Sequence, residues 1–421
     1  MRKVLIISYF YPPSYFVGGK RVAAWAEHLH ASGVYPIIIT RKWNPNQSEI
    51  TDKVIDNGYK HQKGNTHELY QLPYVYSLRD RLHQKNRWPL LRKALTFMEI
   101  FLSYFFISAN KTHLSFYKKA IEVLENNPDI DTLIISGKPF QSFFIGYALK
   151  KKFPRLKWIP DFRDEWTSHP LFKHNTRSIF RNLDVLAERK WTSNADFIIA
   201  PDKTTASKIA DKIQKKYEVI ANGYDGVFEK KPASTSHDAV HLCYTGTIYA
   251  NQNIELLVDA IRELNQNNIP VHMHWIGIDL APDQGKRVRD YCAGNNSFFH
   301  FHLFADTTDL KELLKSIDLY VLLPYKEMSH VLPVKLYDYM FDGRPILFFP
   351  SDKGAISTVL EETKTGYSFE NKADFKGFLA QYFQSKKDTP EFYNPIENEI
   401  AKYTRKNTVA YLANILRIGN N

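Results

Sequence analysis

A chain of 421 residues is longer than one hydrophobic core usually holds, and its make-up, 44% hydrophobic and 24% charged, excludes disordered, fibrous and membrane-embedded classes in favour of two globular domains. The two cysteines, Cys243 and Cys292, lie far apart and lack metal-ligand spacing, which excludes a disulfide framework and points to the reducing cytoplasm. The net charge of +11 favours an anionic partner, but no arginine-rich tail, zinc spacing or RNA-binding aromatic motif points to nucleic acid.

The basic start, Met1-Arg-Lys, leads into an apolar run too short for a signal peptide. Residues 4–8 read instead as a buried strand. A loop broken by Pro12, Pro13, Gly18 and Gly19 follows, then a helix expected over 22–32 and a strand over 35–40. This order favours a parallel, doubly wound sheet. Gly18 and Gly19, beside Lys20 and Arg21, allow close backbone approach to a ligand. The pattern is not GxGxxG, so no dinucleotide fingerprint is present, and a plain glycine turn is the competing reading.

Residues 43–76 are polar and irregular, with a weak strand expected at 68–72. The stretch 79–93 carries Arg79, Arg81, Lys85, Arg87, Arg92 and Lys93 and runs into an apolar, aromatic segment at 94–109. That segment is too short, and interrupted by Glu99, to span a bilayer. A basic lead-in containing Trp88, followed by an apolar helix, suits peripheral attachment to an anionic membrane surface through 79–109. A core helix with a solvated basic approach is the alternative.

A helix is expected over 115–124 and a strand over 132–136, which places Lys138 in a loop at the carboxyl edge of the sheet. The strand 156–160 leads into Asp161-Phe-Arg-Asp-Glu-Trp166, three carboxylates around Arg163. Such a group can orient a hydroxyl or act as acid or base; a surface ion-pair network is the competing reading. After a helix at 177–193 and strands at 197–200 and 217–221, residues 229–238 read as a linker. Domains are thus expected at 1–228 and 239–400, with a helix in 401–421 packing back on the first.

The second α/β series begins at 240. Thr245-Gly246-Thr247 makes a small-residue loop after its first strand, suited to phosphate or sugar. Strands at 271–277 and 298–303 carry His272/His274 and His300/His302, but no carboxylate or cysteine completes a metal site, so none is expected. A strand at 319–324, a loop, a helix opening near Pro333 and a strand at 346–349 form the last crossover. Its loop and helix start lie at the carboxyl edge, where open α/β sheets bind ligands. Free amides and the positive helix end suit phosphate, with Lys335 in the first turn, and Asp338 is placed to accept from hydroxyls. Phosphate plus hydroxyls suggests a nucleotide.

Four patches together give the chain a recognisable order. They are Tyr11-Pro12-Pro13 with Gly18-Gly19; Asp161 to Trp166, similar to a DFRDPW patch with Glu165 where proline is usual; Asn222-Gly-Tyr-Asp225 followed by Tyr244-Thr-Gly-Thr-Ile-Tyr249; and His330 through Asp338 with Gly343-Arg-Pro345, in the frame of an E-x7-E element. In this order they resemble the GT-B fold glycosyltransferases, in the family-four-like group of bacterial retaining enzymes. The resemblance implies an α/β GT-B architecture, two Rossmann-like domains facing across a cleft, with the C-terminal helix crossing back to the first. It implies a nucleotide-sugar of UDP or GDP type in the second domain and a saccharide acceptor in the first. Hexosyl or N-acetylhexosaminyl transfer would proceed with retention and without an obligatory cofactor or metal. Asp338 would hold the ribose. Lys335, the Thr245–Thr247 loop and Gly18-Gly19 would hold phosphate, with Asn222, Pro333 and Leu336 among the donor contacts. His330 would meet the donor sugar, Asp164 and Arg163 the acceptor hydroxyl, and Lys138, Asp161 and Trp166 the acceptor side. The basic aromatic segment suggests a lipid-linked acceptor and hence assembly of a surface polysaccharide.

Two departures from the pattern stand out. His330 and Asp338 occupy the two glutamate positions, and the basic pair usual after the first C-terminal loop is missing from 247–253. Lys335, Lys138 or backbone amides would then neutralise the diphosphate. A nucleotide-sugar epimerase of the same fold and a non-catalytic sugar-nucleotide-binding protein are the alternatives.

Overall fold

The computed structural model describes residues 1–14, 18–44, 58–85, 87–170, 172, 177–231, 238–294, 297–303, 307–385 and 393–418. Residues 232–237, most of the expected linker, lie outside the described residues. The chain divides into two compact units, Met1–Asn222 with Arg405–Asn421, and Gly223–Thr404.

The strands of the first unit are β1 (Arg2–Ser8), β2 (Val34–Arg41), β3 (Lys60–Lys63), β4 (Glu68–Leu72), β5 (Thr132–Ser136), β6 (Lys157–Asp161), β7 (Ile198–Ala200) and β8 (Tyr217–Val219). They form one sheet in the order β3-β4-β2-β1-β5-β6-β7-β8, parallel throughout except for the antiparallel edge pair β3/β4. Continuous apolar runs such as Val4-Leu-Ile-Ile7 suit strands buried on both faces. Alternate residues serve alternate faces: Leu5, Ile7, Leu133 and Ile135 belong to one core, and Val4, Ile6, Ile134 and Ile159 to the other. The second of these cores is completed by Val409, Leu412, Ala413 and Leu416 of the helix Arg405–Ile418, together with Val22 and Trp25 of the helix Gly18–His28. The chain runs outward from β1 through β2 and β4, then returns to β5 on the other side of β1. The carboxyl ends of β1 and β5 therefore flank a topological switch point, the usual ligand position in such sheets.

Two expectations shift. The helix expected from residue 22 opens at Gly18, so both glycines lie in its first turn rather than in the loop. The helix expected at 115–124 spans Lys111–Asn126, because the Asn110 side chain caps it by accepting from the His113 amide at 3.1 Å.

The second unit contains β9 (Val240–Thr245), β10 (Val271–Ile276), β11 (Phe299–His302), β12 (Leu319–Leu322), β13 (Ile346–Phe348) and β14 (Gly366–Ser368). They form an all-parallel sheet in the order β11-β10-β9-β12-β13-β14. The helix Glu255–Gln266 buries Leu257, Val258, Ala260, Ile261 and Leu264, a stripe at helical spacing. Here the direction reverses between β9 and β12, so the loop after β9 stands at this unit's switch point.

Candidate functional site

In the second unit the loop after β9 is held from several sides. Gly246 has φ +80, a left-handed conformation that favours glycine, and its amide extends the ladder by donating to the Ile276 carbonyl at 2.7 Å. The Thr245 amide and hydroxyl both donate to the Tyr339 hydroxyl, at 2.8 and 3.1 Å. Tyr339 stacks on Tyr320 with ring centroids 4.1 Å apart, and burial holds its phenol far above the usual range, so it stays neutral. Tyr244 donates to the Thr247 carbonyl at 2.9 Å, and Gln252 ties the loop to the end of β12 through the Leu323 carbonyl at 3.1 Å.

The helix Val334–Asp342 begins at Pro333, which is extended (φ −69, ψ 150) and buried. Lys335, in its first turn, donates to the Tyr244 hydroxyl and to the Thr247 carbonyl, the latter at 3.3 Å. Its ammonium lies 3.8 Å from the Tyr244 ring centroid, a cation–π arrangement. Among the described residues no carboxylate forms an ion pair with it. The residue as a whole is half-buried, yet desolvation dominates at the ammonium: burial lowers its pKa to about 7, and Asp338 opposes the shift only weakly. Asp338 is exposed one turn further along the same helix face, and Leu336 is buried. His330 is 7% exposed. Its neighbour Ser329 accepts from the Ala355 amide at 2.7 Å at the start of the helix Ala355–Thr363, which fixes the loop carrying His330.

In the first unit, register pairs Ser136 of β5 with Asp161 of β6 at the carboxyl edge. Asp161 is fully buried. It accepts from Ser136 at 2.8 Å and from the Arg21 guanidinium at 3.1 to 3.2 Å. Arg21 also donates to the Ile220 carbonyl at 2.7 Å and to Asn222 Oδ1 at 3.3 Å. Trp166 is buried between Phe140 and Trp191, with centroids 5.0 and 5.7 Å away. Asp161 and Trp166, both expected on the acceptor side, are buried and hold this edge together. Arg163 occupies the space that a side chain at Gly18 would fill, since a Cβ there would lie 0.9 Å from its Nη1. Gly19 packs against the Tyr11 backbone, where a Cβ would lie 3.1 Å away. Burial lowers the Arg163 pKa, with Asp164 and Asp161 opposing. Asp164 and Lys138 are exposed and paired at 3.3 Å, the accessible remainder of the expected cluster. Glu165 turns inward, 3.7 Å from Lys208.

The sheet histidines bond to one another instead of converging on a point. His241 meets His274 at 3.0 Å, His274 meets His302 at 3.1 Å and His272 meets His300 at 2.9 Å. Among the described residues no group of three or more His, Cys, Asp or Glu is placed to hold a metal ion.

Residues 239–384, which carry the β9 loop and the Lys335 helix, match the family model of glycosyl transferases group 1. The whole chain is similar to solved structures. Sucrose-phosphate synthase from Thermosynechococcus elongatus has TM-score 0.64 and 14% identity, with 99% of each chain covered. The lipopolysaccharide outer core galactosyltransferase WaaB has TM-score 0.57 and 12% identity over 99% of both chains. Anabaena HepE in complex with UDP-glucose has TM-score 0.56, 12% identity and the same coverage. The chain has the GT-B fold of these structures. No curated protein matches the sequence. The sequence pattern marked Lys335 and the Thr245–Thr247 loop but gave no role to Tyr244, Tyr339 and Gln252, which hold them. One signal was available: Tyr339 lies four residues after Lys335, on the same helix face.

Proposed function

We propose that the protein transfers a hexosyl or N-acetylhexosaminyl group, with retention, from a UDP- or GDP-type nucleotide-sugar to a lipid-linked saccharide in surface-polysaccharide assembly. The observation that carries the donor reading is the Lys335 ammonium: desolvated, without a carboxylate partner among the described residues, and set beside the Thr245–Thr247 loop at the first turn of a helix. An anion there gains the ammonium, the free amides and the helix dipole together. A diphosphate fits that charge, and Asp338, one turn on, accepts from the ribose hydroxyls. UDP-glucose in the similar HepE supports a UDP-type donor.

When the bond from the sugar to the diphosphate breaks, negative charge grows on the leaving oxygen. Lys335 and the helix N-terminus are fixed in place to stabilise it without reorganising. The acceptor hydroxyl forms the new bond on the face the diphosphate leaves, and its proton passes to the leaving phosphate oxygen. Asp164 and Lys138 are the exposed charged groups that orient the acceptor. His330 meets the donor sugar as a hydrogen-bond donor in place of a carboxylate. The lipid linkage and peripheral membrane location rest on the exposed apolar helix Pro89–Ser103.

Thermal-shift measurements against a panel of nucleotide-sugars test the donor reading. At least one UDP- or GDP-sugar raises the melting temperature, and Asp338→Ala removes most of that shift. A panel in which no nucleotide-sugar shifts the melting temperature contradicts it. Chelator leaves the shift unchanged, and conversion of donor to its epimer without acceptor would favour the epimerase.

A further inference from the structure

Exposed apolar side chains are ordinary when scattered and informative when gathered. Among the described residues, nine of the 22 exposed large apolar side chains fall from Trp88 to Phe106. The helix at the centre of this stretch, Pro89–Ser103, buries no residue at all, although it is mostly Leu, Phe, Met and Ile. Leu90, Phe97 and Phe101 recur at spacings of seven and four and form one outward stripe that Phe105 continues past the helix end, with Leu91 and Met98 beside it. Trp88 is 67% exposed and Phe106 is 58% exposed, one at each end of the stripe.

The underside is anchored. Tyr104 donates to Asp184 at 2.6 Å, and at the inner edge of the stripe the partly covered Phe97 packs on Phe180 with centroids 5.2 Å apart. The one acid of the helix, Glu99, lies 3.7 Å from Arg79 and adds no free negative charge to the surface. By contrast Arg81, Lys85, Arg87 and Lys93 are exposed, and among the described residues none of them is in an ion pair.

We propose that this surface docks on an anionic lipid bilayer, with the helix lying in the interface. The length fits: 15 residues span about 22 Å, short of the roughly 30 Å hydrocarbon core. Among the described residues no helix is long and apolar enough to cross a membrane. The chemistry fits as well. The stripe presents an apolar face, an aromatic ring at each end suits the headgroup boundary, and the basic residues complement anionic headgroups. A partner protein would bring matching acids, whereas this surface combines unpaired bases with the bulky, polarity-free stripe that acyl chains accept. The inference rests on the peripheral location proposed above and not on the donor or the chemistry of transfer, so vesicle binding and the nucleotide-sugar melting shift fail separately.

Co-sedimentation of the full chain with vesicles of phosphatidylcholine alone, and of phosphatidylcholine with one quarter phosphatidylglycerol, tests it. The protein binds the anionic vesicles at low salt and at least tenfold less at 0.5 M salt or on neutral vesicles. Leu90→Ser with Met98→Ser, and separately Arg81→Gln with Lys85→Gln and Lys93→Gln, each reduce binding by tenfold or more. Both variants keep the wild-type melting temperature and nucleotide-sugar response, because the altered side chains are exposed and lie outside the second unit. Absence of wild-type sedimentation with anionic vesicles overturns the proposal. So does a wild-type dimer that Leu90→Ser dissociates while vesicles are ignored, which would assign the stripe to a second copy of the chain.

Discussion

Arg21 in the first unit and Lys335 in the second both carry desolvated charge, and they are treated oppositely. Arg21 meets a fully buried carboxylate, Asp161, and spends its remaining donors on Ile220 and Asn222. Among the described residues Lys335 meets a phenol, a carbonyl and a ring face, with Asp338 acting on it from one turn away. Arg21 is closed off by its own neighbours, so it serves the fold. Lys335, when protonated, carries a charge that no ion pair compensates among the described residues, and such a group is a ready receptor for an anion. The difference separates structure from function better than exposure or residue type does.

The largest effect should come from breaking the closed pair. Asp161→Ala leaves the Arg21 guanidinium buried without a counter-charge, and denaturant unfolding should show a loss of about 3–5 kcal/mol. The double replacement Arg21→Met with Asp161→Leu should recover much of it. If Asp161→Ala is neutral, the two cations are not so different after all.

The open cation predicts the reverse. Lys335→Met removes an uncompensated charge, so the ligand-free melting temperature should hold or rise. A fall of several degrees would make Lys335 a structural residue like Arg21.

The pH dependence sharpens the contrast. The unfolded lysine titrates near 10.4, against about 7 when folded. Between these values the unfolded chain holds a proton that the folded chain lacks, so the Lys335 contribution to stability rises with pH across this window. Nucleotide-sugar affinity should run the other way and fall, by up to tenfold per unit, above the pKa of the bound state. Both trends should vanish in Lys335→Met, as parallel melting and titration series from pH 6.5 to 9 would show.

The smallest effect concerns the frame. Tyr339→Phe removes the acceptor of the Thr245 amide and hydroxyl and should cost about 1 kcal/mol of stability, with a few-fold loss in donor affinity.

Much of the frame was legible along the chain. The apolar run at 132–136 and the weak strand expected at 68–72 became β5 and β4, residue for residue; in β5 a strand buried on both faces has little freedom of composition. The strand–loop–helix order likewise placed Lys335 and the 245–247 loop at one carboxyl edge. Local reading failed where the decisive partner is distant. Asp161 looked like an open acid because Arg21, which neutralises it, lies 140 residues away in sequence. Tyr244, against which the Lys335 ammonium rests, lies 91 residues away. Strand β3, Lys-His-Gln-Lys, has no apolar alternation to reveal it, since all four side chains are exposed. Gly18 and Gly19 read as loop residues ahead of the helix. They open a helix instead, and the need at Gly18 is room for Arg163, which no local pattern encodes.

Calorimetric titration of UDP- and GDP-sugars into the wild-type protein and Lys335→Met, at pH 6.5, tests the central claim most directly. One class of nucleotide-sugar should bind the wild type with a single-site isotherm, and the variant should bind it about ten- to a hundredfold more weakly, the worth of a charge-assisted hydrogen bond. Equal affinity in the two proteins, or no binding to either, would contradict the account.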